Sequence, residues 1–297
     1  MSAVLARGGV EPPARPVLRY HGGKWRLAPW VIAHFPPHRI YVEPFGGAAS
    51  VLMRKPRVWG EVYNDLDDDV VNVMRVLQDP ANAAQLAKRV ALTAFSRTEF
   101  RAAYENQGGC VDRAWAMIVR SFMGFGSASM TQMHITGFRS NASRNGTIPA
   151  EDWKNWPVQI RRFVERLRGV VIECRAAEAV IRQHDKPETL IYADPPYPQS
   201  TRSSLTHKNG NRGHYYRHDM TDDDHRSLAE VLRACKGSVV LSGYPCELYD
   251  AELYPDWERF EREHMADGAR PRTEVLRLNP ACSAALERHK AQLSLLN

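Results

Sequence analysis

The sequence predicts an open α/β sheet carrying an inserted helical subdomain. Three observations predict it. Short apolar runs alternate with helical periods from Ile40 onward, a glycine pair follows the first run, and a long stretch of helical period without strand character separates the second run from the third. The 297 residues, 43% hydrophobic and 25% charged, suffice for one large core, or for one core plus an inserted subdomain.

Residues 1–18 hold Gly8-Gly9, Pro12-Pro13 and Pro16 without an apolar period, so a loose N-terminal arm is expected there. Strands are expected at 40–43, 58–63, 170–174, 189–193 and 238–242, with a late strand at 273–278. Leu66, Val70, Val73, Met74 and Leu77 share one face of a helix expected over 66–78. Ser96-Arg97-Thr98-Glu99 is a capping-box pattern opening another, and Trp115, Ile118, Val119 and Phe122 mark a third. Residues 124–149 change character, with four glycines, many Ser and Asn, and the cations Arg139 and Arg144, as an exposed polar loop would. The segment 81–168 is therefore expected to be a helical insertion between the two parts, 19–80 and 169–280, of an α/β domain. Residues 198–220 read as a mobile loop over the site, Thr221-Asp222-Asp223-Asp224 as the cap of a helix running through Cys235, and 281–297 as a C-terminal tail. The chain carries no convincing internal repeats.

No run approaches the roughly 18–20 uninterrupted apolar residues of a membrane span, and the N-terminus lacks an apolar signal run, so a cytoplasmic location is expected. Cys110, Cys174, Cys235, Cys246 and Cys282 lie far apart, without a CxxC pair or a His cluster at zinc-ligand spacing; free thiols and no metal site are expected. A formal charge of +6 suits a polyanionic partner, and it also simply aids solubility.

The run Tyr41-Val42-Glu43-Pro44-Phe45-Gly46-Gly47-Ala48-Ala49-Ser50 passes from a strand through two glycines into small residues that open a helix. Glycine lets backbone approach a ligand, a helix N-terminus offers free N–H groups, and in an open α/β sheet ligands sit beyond the carboxyl ends of the strands. The next strand ends at Tyr63-Asn64-Asp65, which places an acidic side chain about twenty residues on, the Rossmann-like spacing for a carboxylate on ribose hydroxyls. Asn64 or Asp65 also suits the N-cap of the following helix, and two adjacent residues can divide the tasks. The dinucleotide pattern GxGxxG is absent, which argues against NAD and leaves other adenosine-containing cofactors open.

The segment Leu190-Ile191-Tyr192-Ala193-Asp194-Pro195-Pro196-Tyr197 is an apolar strand that runs into a carboxylate, two prolines and an aromatic ring. Prolines fix φ and remove donors, so the loop is stiff and offers its carbonyls as acceptors. A nucleobase amine is a poor nucleophile because its lone pair is delocalised into the ring. Hydrogen bonds from that amine to Asp194 and to the Pro195 carbonyl favour a pyramidal nitrogen able to attack a methyl sulfonium in line. Tyr197 supplies a stacking face for a base swung out of a duplex. A surface turn with a buried Asp cap would use the same tetrapeptide; its place at a strand end, after a glycine loop and an acidic second strand, favours the chemistry.

These elements, in this order, resemble the Dam-like family of adenine-N6 DNA methyltransferases, especially its phage and prophage forms, over residues 19–280. Arg19-Tyr20-His21-Gly22-Gly23-Lys24 resembles the family's aromatic-x-Gly-Gly-Lys element, which implies cofactor contacts from Tyr20 and Lys24. The resemblance implies a Rossmann-like methyltransferase sheet, S-adenosylmethionine as methyl donor with S-adenosylhomocysteine as product, and double-stranded DNA as substrate. It assigns the cofactor to Tyr20, Lys24, Glu43, Phe45, Gly46, Gly47, Asp65 and Asp194, and catalysis to Asp194, Pro195 and Tyr197. It makes 81–168 a DNA-recognition insertion in which Gly137-Phe138-Arg139-Ser140-Asn141 resembles part of the recognition loop, with Arg19, Arg139, Asn141 and Arg144 on DNA. GATC is the family's first guess for the recognised word, and restriction-modification one setting. Relatives often place an acidic residue on the cofactor's adenine where this chain has Ala176; Glu173, Glu178 or backbone are the substitutes. RNA or a protein amide remains an alternative methyl acceptor, and a catalytically silent DNA-binding module a different class of function.

Overall fold

The computed structural model describes residues 11–20, 22–125, 136–141, 148–201, 218–266 and 270–295. In chain order these form α1 (Ala28–Ile32), β1 (Ile40–Glu43), α2 (Ser50–Arg54), β2 (Gly60–Asn64), α3 (Asp68–Gln78), α4 (Pro80–Leu92), α5 (Arg97–Glu105) and α6 (Cys110–Met123). There follow α7 (Pro149–Lys154), α8 (Ile160–Leu167), β3 (Val170–Glu173), α9 (Ala177–His184), β4 (Thr189–Ala193), α10 (Asp222–Arg233), β5 (Ser238–Gly243), β6 (Glu258–Ala266), β7 (Arg270–Leu278) and α11 (Pro280–Ser294). Contacts divide the chain into two compact units, one of residues up to 20 with 72–168, the other of 21–71 with 169 onward. The divisions fall between residues 20 and 21, inside α3 and just before β3.

The second unit holds the sheet. Its described strands run in the order β3-β2-β1-β4-β5-β7-β6. β1 to β5 pair in parallel, and β7 returns antiparallel between β5 and β6. Parallel strands covered on both faces must be apolar throughout, and β4 is buried at all five positions and β5 at all six. The expected open α/β sheet is present. β6 was not anticipated from sequence, because Glu258-Arg259-Phe260-Glu261-Arg262-Glu263 looks too polar for a strand. At the sheet's edge such charges are tolerated and discourage pairing with another chain.

Caps set several boundaries. Thr221 Oγ1 accepts from the Asp224 amide at 3.2 Å while Asp224 accepts from the Thr221 amide at 2.8 Å, the box that opens α10. Ser96 caps α5 on the Glu99 amide. The helix expected from residue 66 begins at Asp68, because Asp65 accepts from the Asp67 amide and Asp67 from the Asp69 amide; Leu66, left outside, is exposed. The second strand starts at Gly60, so Val58 and Trp59 precede it.

The first unit is helical, and in α6 all of 114–123 is buried. Phe122, Trp153, Trp156 and Phe163 form its aromatic core. Residues 11–18 are no loose arm: Val17 and Leu18 are buried, the Trp156 indole donates to the Val17 carbonyl at 3.0 Å, and Arg15 donates to the Asp152 carbonyl at 2.8 Å. Two apolar residues after a run of prolines were enough to anchor the segment. The expected tail is likewise mostly a helix, α11, capped by Asn279, whose side chain also accepts from the Val239 amide and donates to the Gly237 carbonyl.

Candidate active site

The strand order reverses between β1 and β4, so the chain leaves these neighbours in opposite directions and opens a crevice at their carboxyl ends. On the β1 side Gly46 donates to the Asn64 carbonyl at 2.7 Å, and a Cβ on Gly46 would overlap the Tyr63 ring. Gly47 turns the chain at φ +46°, a left-handed conformation suited to glycine. Its amide donates to Asp65 at 2.8 Å and its carbonyl accepts from the Tyr63 hydroxyl at 2.7 Å. Asn64 braces the loops: its amide group donates to the Pro44 and Arg175 carbonyls at 2.9 and 3.0 Å and its carbonyl accepts from the Arg175 amide at 2.9 Å. Asn64 serves as a brace between loops, not as a helix N-cap, and Asp65 sits at the glycine turn.

Glu43 is buried, accepting from the Tyr41 hydroxyl at 2.7 Å and the Leu52 amide at 3.0 Å. Burial pushes its carboxyl up to about 8, only partly opposed by those bonds, so it is largely neutral at pH 7. Asp65 is pushed up to about 6, again by burial, with the Asp67 and Gly47 amides pulling the other way.

On the β4 side the chemistry is ionic. Asp194 leaves the end of β4 with its side chain 16% exposed, and the Lys24 ammonium lies 3.1 Å away. Lys24 is buried, donates to the Gly22 carbonyl at 2.9 Å, sits 3.7 Å from Glu274 and lies over the Tyr197 ring at 4.9 Å. The Tyr197 hydroxyl is within hydrogen-bond reach of both Asp194, at 3.0 Å, and Glu274. Glu274, 1% exposed, also accepts from Ser242 at 2.8 Å and faces His264 at 3.6 Å. Burial raises the Asp194 carboxyl, and Lys24 opposes the rise. Burial would raise Glu274 too, but Lys24, His264, Tyr197 and Ser242 together hold it below the usual range. The Tyr197 ring meets the Tyr244 ring edge-on at 4.7 Å.

The cluster brings together Lys24, Asp194 and Tyr197, with Pro195 buried beside them, and the glycine turn brings together Phe45, Gly46, Gly47 and Asp65. Glu43 faces inward, tying β1 to α2. Tyr20 and Arg19 group with the helical unit, where Arg19 donates its amide to Ser121 at 2.6 Å and sits 3.6 Å from Asp152. Arg139 donates its amide to the Met123 carbonyl and its guanidinium to the Phe122 carbonyl, and Asn141 is exposed nearby in sequence. Arg144 and most of the loop expected at 198–220 lie outside the described residues. Ala176 supplies the cap carbonyl of α9, while Glu173 pairs with Arg175 at 3.7 Å. Sequence reasoning missed Glu274, Ser242 and Tyr244. The one signal was a carboxylate immediately before the apolar pair Val275-Leu276, in a segment expected to be a strand.

The donor set fits an adenosyl sulfonium. Two carboxylates against one buried lysine leave the β4 side with excess negative charge, which favours a cation, and Asp65 is a carboxylate acceptor whose burial would be relieved by hydroxyl donors. Among the described residues no group of three His, Cys, Asp or Glu could hold a metal ion, and no helix is long and apolar enough to cross a membrane.

Residues 20–266 match the family model of D12 class N6 adenine-specific DNA methyltransferases. The chain is also similar to the DNA adenine methylases of a classical Ogawa and an El Tor Inaba strain of Vibrio cholerae serotype O1. It is 26% identical to each over 227 residues, covering 73% of this chain and 75% of the relative.

Proposed function

The chain belongs to the D12 class of N6 adenine-specific DNA methyltransferases, and from that premise we propose which residues carry the reaction and how. Its activity is adenine-specific DNA methylation. S-adenosylmethionine is the proposed donor, supplying an electrophilic methyl group on a sulfonium. The acceptor is an adenine swung out of duplex DNA, within a specific sequence, in the cytoplasm.

Asp194 and the Pro195 carbonyl accept the two N–H bonds of the adenine amino group, holding the nitrogen pyramidal with its lone pair toward the methyl group. Lys24 opposes the upward pull of burial on the Asp194 carboxyl, which favours its charged form as acceptor for the amine. Tyr197 stacks on the base, its ring fixed through its hydroxyl by Asp194 and Glu274 and at its edge by Tyr244. Asp65 accepts from the ribose hydroxyls, Gly46 and Gly47 let the backbone close on the ligand, and Phe45 and Tyr20 pack against it. Glu43 acts at one remove by fixing the loop. Arg19, Arg139, Asn141 and Arg144 are assigned to DNA. The proton lost from nitrogen leaves to solvent.

The observation that carries this reading is the Asp194 carboxylate, partly exposed at the end of β4 and gripped by Lys24 and Tyr197. Transfer of labelled methyl from S-adenosylmethionine to unmethylated duplex DNA, with nucleoside analysis, tests it. N6-methyladenine from the wild type and none from Asp194→Ala is expected. Label on RNA or protein would replace the substrate, and DNA binding without label from the wild type would mark a silent module.

A further inference from the structure

Several arginines of the sheet-bearing unit are neutralised by carboxylates. Arg226 pairs with Asp223 and Glu252, Arg233 with Asp256, Arg259 with Asp250 and Glu261, and Arg277 with Asp250. Arg262 and Arg272 form no ion pair with any described residue. Residues directly opposite in an antiparallel ladder, and residues two apart along a strand, share one face. Arg262 stands opposite Glu274 and His264 opposite Arg272, so both arginines lie on the face that delivers Glu274 to the Asp194 cluster. They are diagonal neighbours, with Cβ atoms about 7–8 Å apart, close enough to grip one stretch of backbone. Arg272 is half-buried and lies over the Tyr244 ring at 5.5 Å, and that ring meets Tyr197 at 4.7 Å. The guanidinium is thus pre-ordered by stacking, one ring removed from the ring assigned to the target base.

We propose that Arg262 and Arg272 bind the phosphates flanking the extruded nucleotide, with Tyr244 as the second aromatic wall beside the base. This rests on the assignment of duplex DNA as substrate. An extruded base leaves its sugar and phosphates at the mouth of the pocket, where the strained backbone needs a fixed counter-charge. A planar guanidinium matches phosphate with two parallel hydrogen bonds, and stacking on a ring leaves those donors free to do so. The negative charge of Asp194 and Glu274 makes such a cationic rim necessary, because without it the site would repel the polyanion it must admit.

The test is the salt dependence of binding to unmethylated duplex DNA, with the full-length wild type, Arg262→Ala, Arg272→Ala, and Arg226→Ala as a control whose arginine is already paired. Each of the first two variants is expected to weaken binding and to make the slope of log affinity against log salt shallower by about 0.9 per lost phosphate contact, while the control keeps the wild-type slope. Unchanged slopes in both variants, or an equal change in the control, would overturn the proposal. So would a loss confined to S-adenosylhomocysteine affinity, which would place the arginines on the cofactor. DNA methylation by the wild type with unchanged slopes would remove this inference alone, whereas failure of the wild type to bind DNA would remove the assigned substrate with it.

Discussion

At the ends of β1 and β2 the site is built mainly from backbone: the Gly47 amide on Asp65, the Gly47 carbonyl under Tyr63, the Gly46 amide on the Asn64 carbonyl, and Asn64 bracing two loops. At the ends of β4 and β5 and the middle of β7 it is built from charge, with Lys24 buried between Asp194 and Glu274 and Tyr197 bridging the carboxylates. The two regions lie at the same end of the sheet and differ in how they tolerate burial. Burial pushes Glu43 up to about 8 and Asp65 to about 6, with hydrogen bonds and the charge of Lys55 on Glu43 opposing it only in part, so the first region moves toward neutrality. In the second, Lys24 and its neighbours hold Glu274 low and restrain Asp194. A recognition cradle can be near neutral; a centre that polarises an amine needs a charged acceptor, and inside a protein that requires a counter-charge.

The largest effect should come from deleting that counter-charge. Lys24→Met leaves two carboxylates buried together, and we expect a loss of about 3–5 kcal/mol in stability by denaturant unfolding, with methyl transfer abolished. A variant as stable as wild type would show that the β4 side is no more ionic than the β1 side. Next comes the cradle. Gly46→Ala forces a methyl group into the Tyr63 ring, with an expected cost of about 1–3 kcal/mol and weaker S-adenosylhomocysteine binding by calorimetry, while the Asp194 cluster stays intact. Normal cofactor affinity would break the assignment of the glycine turn.

Glu274→Gln keeps an acceptor for Tyr197 and Ser242 but removes a charge. The expected result is a fall of about tenfold in kcat with little change in KM for DNA, and a pH profile displaced because the Asp194 carboxyl loses its like-charged neighbour and titrates lower. An unchanged profile would reduce Glu274 to packing. The smallest effect is a pH trend in the cradle. The Glu43 carboxyl rises on folding from 4.5 to about 8, so its contribution to stability is full below the lower value and is lost as pH climbs through the upper one. Glu43→Gln should therefore gain in melting temperature relative to wild type between pH 5 and about pH 9, and a constant difference would mean that Glu43 stays ionised.

The cradle was legible in sequence because glycine, proline and short acidic residues act on their own backbone. Glu43 was legible as a member of the loop, but its inward orientation was not, since β1 could have presented either face until packing chose one. The charged cluster was half legible. Asp194 and Tyr197 are three residues apart and announce themselves, whereas Glu274 meets Tyr197 across 77 residues of chain. The anchoring of Val17 and Leu18 and the strand β6 were missed for a related reason: a few apolar residues in a polar context gain their meaning from the surface they cover.

By itself the sequence determined the alternation of strands and helices, the glycine turn, the acidic end of β2 and the stiff Asp-Pro-Pro-Tyr exit from β4. Each of these is fixed by local conformational preference and by apolar periodicity along a few residues. The tertiary structure alone decided that Lys24 stands between Asp194 and Glu274, that Asn64 is a brace, and that two arginines without an ion pair among the described residues share a face with the buried glutamate. The position of Glu274 and the shared face of the arginines depend on the antiparallel return of β7 beside β5, and the brace at Asn64 on the parallel pairing of β2 between β1 and β3. Registers are set by the packing of whole elements, and no residue encodes them alone.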